Sequence, residues 1–238
     1  MDPIPVSDAV WRLPLPLAHC HLVRIDDGYA VIDAGAPGTA PHLLDGLSRL
    51  SIAPGQVRQI VLTHYHLDHT GALAELAAAT GATVLAGAAD APVIRGDLAE
   101  TAPVLAGDRQ LYEQTMAGAT DLDPATRAPC RVDVELSDGD ELSGWGEPVR
   151  VLSVPGHTDG SIALHLPRSR VLFPGDPVAV FGGRAMLGPF NVDPDAARAS
   201  FHRLAGLDVD TLCPPHGEVI GAGAAGLLRA ATPDEDWR

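Results

Sequence analysis

The chain has 238 residues, of which 46% are apolar and 20% charged, and this balance indicates a globular domain with a substantial core and excludes a disordered chain. The net charge is −15, and a field of that sign repels phosphate backbones, so we expect no nucleic acid partner. No stretch approaches the roughly 18 consecutive apolar residues of a membrane span, so we expect no membrane partner either.

The first half of the chain predicts a sheet that is followed by helices. Apolar segments between turn residues predict antiparallel strands over residues 10–15, 20–25 and 29–33. The spacing of four leucines predicts a helix over residues 41–50, and a second helix is expected over 72–79, ending at a glycine. The elements predicted after these are a strand, two helices and another strand, over residues 83–85, 88–94, 108–116 and 132–136.

The second half of the chain alternates short strands with loops and then ends in helices. Three strands, each leading into a loop of glycine or proline, are predicted over residues 149–154, 171–173 and 209–212. Helices are expected over residues 194–204, with Asp193 as the N-cap, and over 224–228. The polar tail at 232–238 is expected to fray.

Four candidate metal ligands lie within six residues, directly after the apolar run at residues 60–62. They form the pattern HxHxDH and are His64, His66, Asp68 and His69. A helical pattern follows at once, so these side chains are expected on a strand-to-helix turn that can bring them into one small volume. Imidazole and carboxylate groups together suit zinc and similar metals.

Three more candidate ligands each follow a predicted strand. They are His157 in a GHT motif, Asp176 in a GD motif and His216 in a PPHG motif. Loops at the ends of buried strands are where a rigid scaffold usually presents its functional groups. Together with HxHxDH, and in this order, they predict one shared metal site.

The motifs HxHxDH, GHT, GD and a late histidine resemble those of the metallo-β-lactamase fold superfamily, over about residues 10–216. The resemblance implies an α/β (α+β) fold, an αββα four-layer sandwich with the site at one edge. It also implies two metal ions, of which His64, His66 and His157 would hold the first, Asp68, His69 and His216 the second, and Asp176 both.

The resemblance further implies a hydrolase with two Zn²⁺ ions, for which iron or manganese are alternative metals. A hydroxide that bridges the metals would attack a carbonyl, and Asp68 or Asp176 would move the proton as catalytic residues. An acidic chain without lysine favours an uncharged acyl substrate. We therefore expect a small, apolar substrate with a thioester, lactone or other carboxylic ester bond, as in the glyoxalase II-like and lactonase-like branches.

Two features separate the chain from parts of that superfamily. Many of its β-lactamases anchor the drug's carboxylate with a lysine, and this chain has none, so β-lactamase activity is not expected. Only 22 residues follow His216 (238 − 216), so we do not expect the C-terminal helical domain with which classical glyoxalase II holds glutathione. This second feature argues against glutathione thioesters.

Other reactions on the same fold remain open. A mononuclear iron persulfide dioxygenase would hold its metal through two histidines and an aspartate and would consume oxygen. A phosphodiesterase would need a basic surface despite the net charge. A metal-binding protein without turnover is the third alternative.

A single domain is expected over residues 1–238. Two of its segments are additional to the strands and helices that a minimal sandwich needs. Residues 96–130 are predicted to form a lid or insert, and residues 177–192 carry apolar side chains among glycines. Either they pack in an ordinary way, or they wall an apolar substrate pocket beside the metals. The candidate substrate contacts are Tyr65, Phe181, Met186 and Phe190.

The N-terminus has no basic region followed by an apolar one, so a secretory signal is not expected. Three cysteines do not form a disulfide framework, which favours a cytoplasmic protein. Cys213 is interpreted as a buried strand residue, and His19 and His21 as structural. We expect a small molecule as the partner and leave a homodimer open.

Overall fold

A computed structural model of the chain describes residues 2–118 and 128–237. The first sheet of this described part contains seven strands. In spatial order they are β1 (Ile4–Pro5), β2 (Val10–Leu13), β3 (Cys20–Ile25), β4 (Gly28–Ile32), β5 (Val57–Leu62), β6 (Thr83–Gly87) and β7 (Val134–Leu136). Neighbours pair antiparallel from β1 to β4 and parallel from β4 to β7.

The later strands build a second sheet and a separate hairpin. They are β8 (Glu141–Leu142), β9 (Val149–Ser153), β10 (Ile162–Leu166), β11 (Val171–Phe173), β12 (Val178–Phe181), β13 (Arg184–Leu187) and β14 (Thr211–Leu212). The second sheet has the order β14-β11-β10-β9-β8, and only β11 and β14 pair in parallel. Strands β12 and β13 pair with each other.

Seven α-helices of the described residues accompany the two sheets. They are α1 (Ala40–Arg49), α2 (Leu67–Thr70), α3 (Leu73–Thr80), α4 (Ala91–Ile94), α5 (Arg109–Gly118), α6 (Pro194–Ala205) and α7 (Ala224–Ala230). Helix α3 ends at Gly81, whose φ of 69° is left-handed. Helix α6 begins after Asp193, whose carboxylate accepts hydrogen bonds from Asp195 N and Ala196 N. Both predicted helix ends are confirmed.

Strand β5 shows how the first sheet is buried on both faces. Ile60 and Leu62 belong to the apolar cluster that includes Leu43 of α1 and Leu76 of α3. Val61, between them, belongs to the cluster that lies between the two sheets. Because side chains alternate along a strand, each face of β5 supplies a different layer of core.

The second sheet is covered by helices in the same way. Leu152 and Leu172 pack in one cluster with Phe201 of α6 and Leu228 of α7. The order of layers is therefore helices, sheet, sheet and helices, which confirms the predicted αββα sandwich.

Strand β10 and the β12–β13 hairpin were absent from the sequence prediction. All five residues of β10 are buried, so the strand has no alternation of polar and apolar residues to reveal it. The hairpin occupies most of the segment 177–192, for which the sequence predicted no regular element. Helix α4 begins at Ala91 rather than at residue 88. Asp90 is its N-cap residue, and the Asp90 carboxylate accepts from Tyr65 N and Gly160 N rather than from the first turn of the helix.

The expectation of a frayed tail was wrong. The indole Nε1 of Trp237 donates to the carbonyl of Leu187 at 2.7 Å, and Leu187 N donates to Asp236 Oδ2 at 2.8 Å. Gly107 N donates to the carbonyl of Trp237 at 3.2 Å. The tail is therefore fastened to β13 and to the segment before α5.

Candidate metal centre

The HxHxDH segment lies at the end of β5 and leads into α2. The carbonyl of His66 accepts hydrogen bonds from His69 N and Thr70 N, both at 3.0 Å, and so starts the helix. The hydroxyl of Thr70 donates to the carbonyl of Tyr65 at 2.9 Å and closes the turn. This turn separates the ligand atoms of His66 from those of His69, so that each histidine joins a different group of donors.

The first group contains three imidazole nitrogens. His64 Nε2 lies 3.0 Å from His66 Nδ1, which lies 2.8 Å from His157 Nε2. Two nitrogens that bind one zinc ion at tetrahedral angles lie roughly 3.3 Å apart, so this spacing is close to that of a zinc site. Burial first, and then the neighbouring His157, lower the pKa of His66 to about 3, so the ring is neutral and can bind a metal.

The second group combines a carboxylate with two imidazoles. Asp68 Oδ2 lies 3.5 Å from His69 Nε2 and 3.4 Å from His216 Nε2. Burial lowers the pKa of His216, but the carboxylates of Asp176 and Asp68 outweigh burial and raise it to about 10. The two carboxylates therefore favour the charged form of the His216 ring.

Asp176 spans the two groups. Its Oδ2 lies 3.2 Å from His157 Nε2 in the first group and 3.3 Å from His216 Nε2 in the second. Its Oδ1 lies 3.3 Å from His69 Nε2. Burial raises the pKa of Asp176, but the surrounding histidines outweigh it and hold this pKa well below the usual value. The carboxylate is ionised and reaches donors on both sides.

The donor set fits a metal cofactor. Among the described residues, the buried atoms His69 Nε2 and Asp176 Oδ1 have no hydrogen-bond partner of good geometry. A buried polar atom left without a partner costs about 1–3 kcal/mol, and a cation between these atoms would remove that cost. Five imidazoles with two carboxylates are a set that suits zinc.

Asp33, at the end of β4, orients the second group. Its Oδ2 lies 2.9 Å from His69 Nδ1, and its Oδ1 accepts from Thr63 N at 2.8 Å. A carboxylate on one ring nitrogen fixes the tautomer and leaves the other nitrogen for a metal. The hydroxyl of Thr63 also lies 3.0 Å from both carboxylate oxygens and 3.1 Å from His64 Nδ1. In the sequence, Asp33 is recognisable only as the end of a strand.

Asp90 is a second carboxylate that the sequence did not single out. It is fully buried, and its Oδ2 accepts from Tyr65 N at 3.0 Å and from Thr158 Oγ1 at 2.7 Å. Its Oδ1 accepts from Gly160 N at 2.7 Å. Burial raises the pKa of Asp90 to about 6, against the opposing effect of these three bonds.

Tyr65 is engaged by the segment predicted as a lid. Its ring meets that of His66 edge to face, with 5.1 Å between ring centres. Its hydroxyl donates to the carbonyl of Thr101 and accepts from Thr101 N, both at 3.3 Å. Burial first, and then Asp90, raise the pKa of the phenol to about 12. These contacts favour the packing interpretation of Tyr65.

The other predicted substrate contacts differ in their surroundings. Phe181, at the end of β12, is 55% exposed, and Met186 in β13 is half-buried. Phe190 is half-buried and meets Tyr112 edge to face at 5.3 Å. Contact of these side chains with a substrate stays a prediction. Asp159, in the loop after His157, is exposed.

The two segments outside the minimal sandwich contact each other. Val104 N donates to the carbonyl of Asn191 at 2.8 Å, and Phe190 N donates to the carboxylate of Asp108 at 2.7 Å. Val192 N donates to the carbonyl of His157 at 3.4 Å. The two segments therefore meet beside the first donor group. Residues 119–127 of the predicted lid lie outside the described residues.

Structural surroundings are found for His19, His21 and Cys213. Leu15 N donates to His19 Nδ1 at 3.1 Å. His21 is buried and meets the ring of Phe173 edge to face at 5.4 Å. The thiol of Cys213 is buried, and burial raises its pKa. These surroundings agree with the structural interpretation of all three residues.

Comparison with known proteins identifies the family of the chain. A family model described as the metallo-beta-lactamase superfamily matches residues 14–216. The chain belongs to the metallo-β-lactamase superfamily. One relative in this superfamily, a hydroxyacylglutathione hydrolase of Cereibacter sphaeroides, is 31% identical over 210 residues, which cover 85% of this chain and 67% of that protein. A probable metallo-hydrolase of Bacillus subtilis is 26% identical over 227 residues, covering 89% and 84%.

Solved structures of the superfamily share the fold. A metallo-β-lactamase family protein of Thermus thermophilus has a TM-score of 0.70 at 22% identity and covers 94% of this chain and 78% of its own. A HARLDQ-motif mutant of a Cronobacter sakazakii metallo-β-lactamase has a TM-score of 0.69 at 25% identity, covering 91% and 80%. With the match of the family and the named relatives, the chain is a metal-dependent hydrolase. Among its described residues, no helix is both long and apolar enough to cross a membrane.

Proposed function

We propose that the chain is a dinuclear zinc hydrolase that cleaves the carbon–sulfur bond of a small acyl thioester. The observation that carries this proposal is the position of Asp176, whose two oxygens lie within 3.3 Å of nitrogens from both donor groups. A carboxylate in that place suits two metal ions better than one.

The residues for both ions are close enough to act together. The first zinc would be held by His64, His66 and His157, the second by Asp68, His69 and His216, and both by Asp176. Zinc ions bound there would lower the pKa of a water molecule toward neutrality and polarise the carbonyl of the substrate.

The chain's own carboxylates would handle the proton. Histidines hold the pKa values of Asp68 and Asp176 well below their usual range although burial opposes them, so both carboxylates can accept a hydrogen bond from the attacking water. The side chain of Asp68 is 20% exposed and that of Asp176 only 9%. Asp68 is therefore better placed to pass the proton on to the departing thiolate.

The bond that is cleaved is inferred from the relatives and from the charge. Several relatives are named hydroxyacylglutathione hydrolase, a name that describes a thioester as the substrate of those proteins. The charge of −15 and the absence of lysine favour an uncharged acyl group over a phosphate ester or a nucleic acid. Lactones and other carboxylic esters are the nearest alternatives.

Metal content and a substrate panel test the proposal together. We expect close to two zinc ions per chain in protein purified without added metal, and faster turnover of short acyl thioesters than of lactones. Asp68→Ala should lower kcat/KM for thioesters by about 10²–10⁴-fold. Asp27→Asn is the matched control, because this exposed carboxylate lies in the turn between β3 and β4, and its kcat/KM should match that of the wild type.

Other outcomes would contradict the proposal in distinct ways. About one iron ion per chain, with oxygen uptake on a persulfide, would replace it by the persulfide dioxygenase. Two metal ions with cleavage of phosphodiesters and not of acyl esters would replace it by the phosphodiesterase.

A further inference from the structure

Asp90 connects the two loops that supply the first donor group. The loop after β5 carries His64 and His66, and Asp90 accepts a hydrogen bond from Tyr65 N, which lies between them. The loop after β9 carries His157, and Asp90 accepts from the hydroxyl of Thr158, the next residue. One carboxylate therefore holds a residue adjacent to each of the three histidines.

We propose that Asp90 is a positioning residue for the three-histidine group, because it fixes the distance between the loop of His64 and His66 and the loop of His157. The inference rests on the proposed zinc site but not on the identity of the substrate. Asp90 itself contacts neither the ligand nitrogens nor, in this proposal, the substrate. It acts through the backbone and the hydroxyl group beside the ligands.

The two loops belong to different sheets, so the link matters for the spacing of the ligands. Strand β5 lies in the first sheet and β9 in the second. The 2.8 Å between His66 Nδ1 and His157 Nε2 therefore depends on how the sheets are held at this edge. A backbone bond of 2.9 Å from Ile162 N to the carbonyl of Thr63 joins them at the base of the loops. Asp90 adds three bonds nearer to the ligands.

The surroundings of Asp90 require a carboxylate. Three donors converge on it, and an ionised carboxylate is a pure acceptor that can satisfy all three. An asparagine has nearly the same size but presents an amide NH₂ in place of one oxygen, so at least one of the bonds is lost. A Cβ at Gly160 would lie 2.6 Å from Asp90 Oδ1, so the close approach of this loop depends on glycine.

Zinc affinity in two single-site backgrounds tests the proposal. Asp68→Ala weakens the second group and leaves the three-histidine group, whereas His66→Ala does the reverse. Zn²⁺ affinity is measured in each background by competition with a chromogenic chelator. Adding Asp90→Asn should lower affinity about 10–100-fold in the Asp68→Ala background. In the His66→Ala background it should change affinity by no more than about twofold.

The pattern across the two backgrounds separates positioning from a general structural role. Equal losses in both backgrounds, or an unchanged affinity in the Asp68→Ala background, would overturn the proposal. If Asp90→Asn does not fold, Thr158→Val takes its place, because it removes one of the three donors at nearly constant volume, and the same contrast is expected at smaller size. Failure to cleave thioesters would contradict the proposed substrate but not the role of Asp90. A wild-type chain that binds no zinc would overturn both the proposed function and the role of Asp90.

Discussion

The Nδ1 atom of His69 lies 2.9 Å from the carboxylate of Asp33, 36 residues earlier in the chain. Because Nδ1 is held there, Nε2 points toward Asp68 and Asp176, at 3.5 and 3.3 Å. The same carboxylate accepts from Thr63 N, the last residue before the histidines. The end of β4 therefore sets the direction of the ligand loop and the tautomer of one of its rings.

We expect Asp33→Asn to weaken the second zinc site selectively. Asp33 has a left-handed φ of 63°, which asparagine tolerates, so the backbone should keep its course. The loss of the anionic partner of His69 should lower the zinc affinity of the second group about 10–100-fold, measured by chelator competition. Asp27→Asn, at an exposed turn, is the control and should bind zinc as the wild type does. Unchanged affinity in Asp33→Asn would contradict this role.

Because the C-terminal tail is hydrogen-bonded to β13, we predict that Trp237→Phe weakens substrate binding. The substitution keeps an aromatic ring but removes the indole donor to the carbonyl of Leu187. We expect the free energy of unfolding to fall by about 1 kcal/mol, the usual contribution of one such hydrogen bond. Since β13 and the segment near Gly107 lose part of their anchor, KM for the acyl substrate should rise while zinc content stays the same.

Trp145→Phe is the matched control for that experiment. The indole of Trp145 donates to the side chain of Gln59 at 2.9 Å, near the start of β5 and away from its metal-binding end. Its loss should reduce stability by a similar amount, about 1 kcal/mol in urea denaturation, with no change in KM. Equal changes of KM in the two variants would show that the effect of Trp237 is only one of stability.

The candidate ligands could be predicted because each follows an apolar strand or lies in one dense motif. His157, Asp176 and His216 stand at the ends of β9, β11 and β14, and these strands run in one direction, so their ends meet at one edge of the sheet. The apolar segments of the sequence are therefore enough to predict that these three residues follow strands. Asp193 at the start of α6 is an equally local signal.

The supporting carboxylates could not be predicted in the same way. Asp33 acts on groups 30 and 36 residues away, and Asp90 on groups 25, 68 and 70 residues away. An aspartate in a turn is common for local reasons, so nothing near either residue distinguishes it. The contacts of Trp237 are likewise long-range, with Leu187 lying 50 residues earlier. Such roles depend on how the layers pack.

Gly217 offers a test of how closely the β12–β13 hairpin lies against the loop of His216. Its φ is 90°, and an added Cβ would collide with the carbonyl of Val180 in β12. Gly217→Ala should therefore displace the loop, lower the unfolding free energy by about 2 kcal/mol or more, and weaken zinc binding by the second group. Gly221→Ala is the control, because a Cβ there meets open space among the described residues. Wild-type stability in Gly217→Ala would argue against this tight contact.

Zinc and protons should compete for the second group. Burial lowers the pKa of His216, but Asp176 and Asp68 outweigh it and raise it to about 10, so the ring is charged at neutral pH when no metal is bound. Zinc binds the neutral ring and must displace that proton. The carboxylates around His69 raise its pKa as well, although burial opposes them. Apparent zinc affinity of the second group should therefore rise with pH between about pH 6 and about pH 9, by about tenfold per pH unit for each proton displaced.

The first group should show a weaker pH dependence over the same interval. Burial and the neighbouring histidines lower the pKa values of His64 and His66, so both rings are already neutral and release no proton on binding zinc. Calorimetry in two buffers of different ionisation enthalpy measures the protons released. His66→Ala, which retains the second group, should release about one proton or more per zinc, and Asp68→Ala, which retains the first, should release fewer. Equal release by the two variants would mean that Asp68 and Asp176 do not hold a proton on His216.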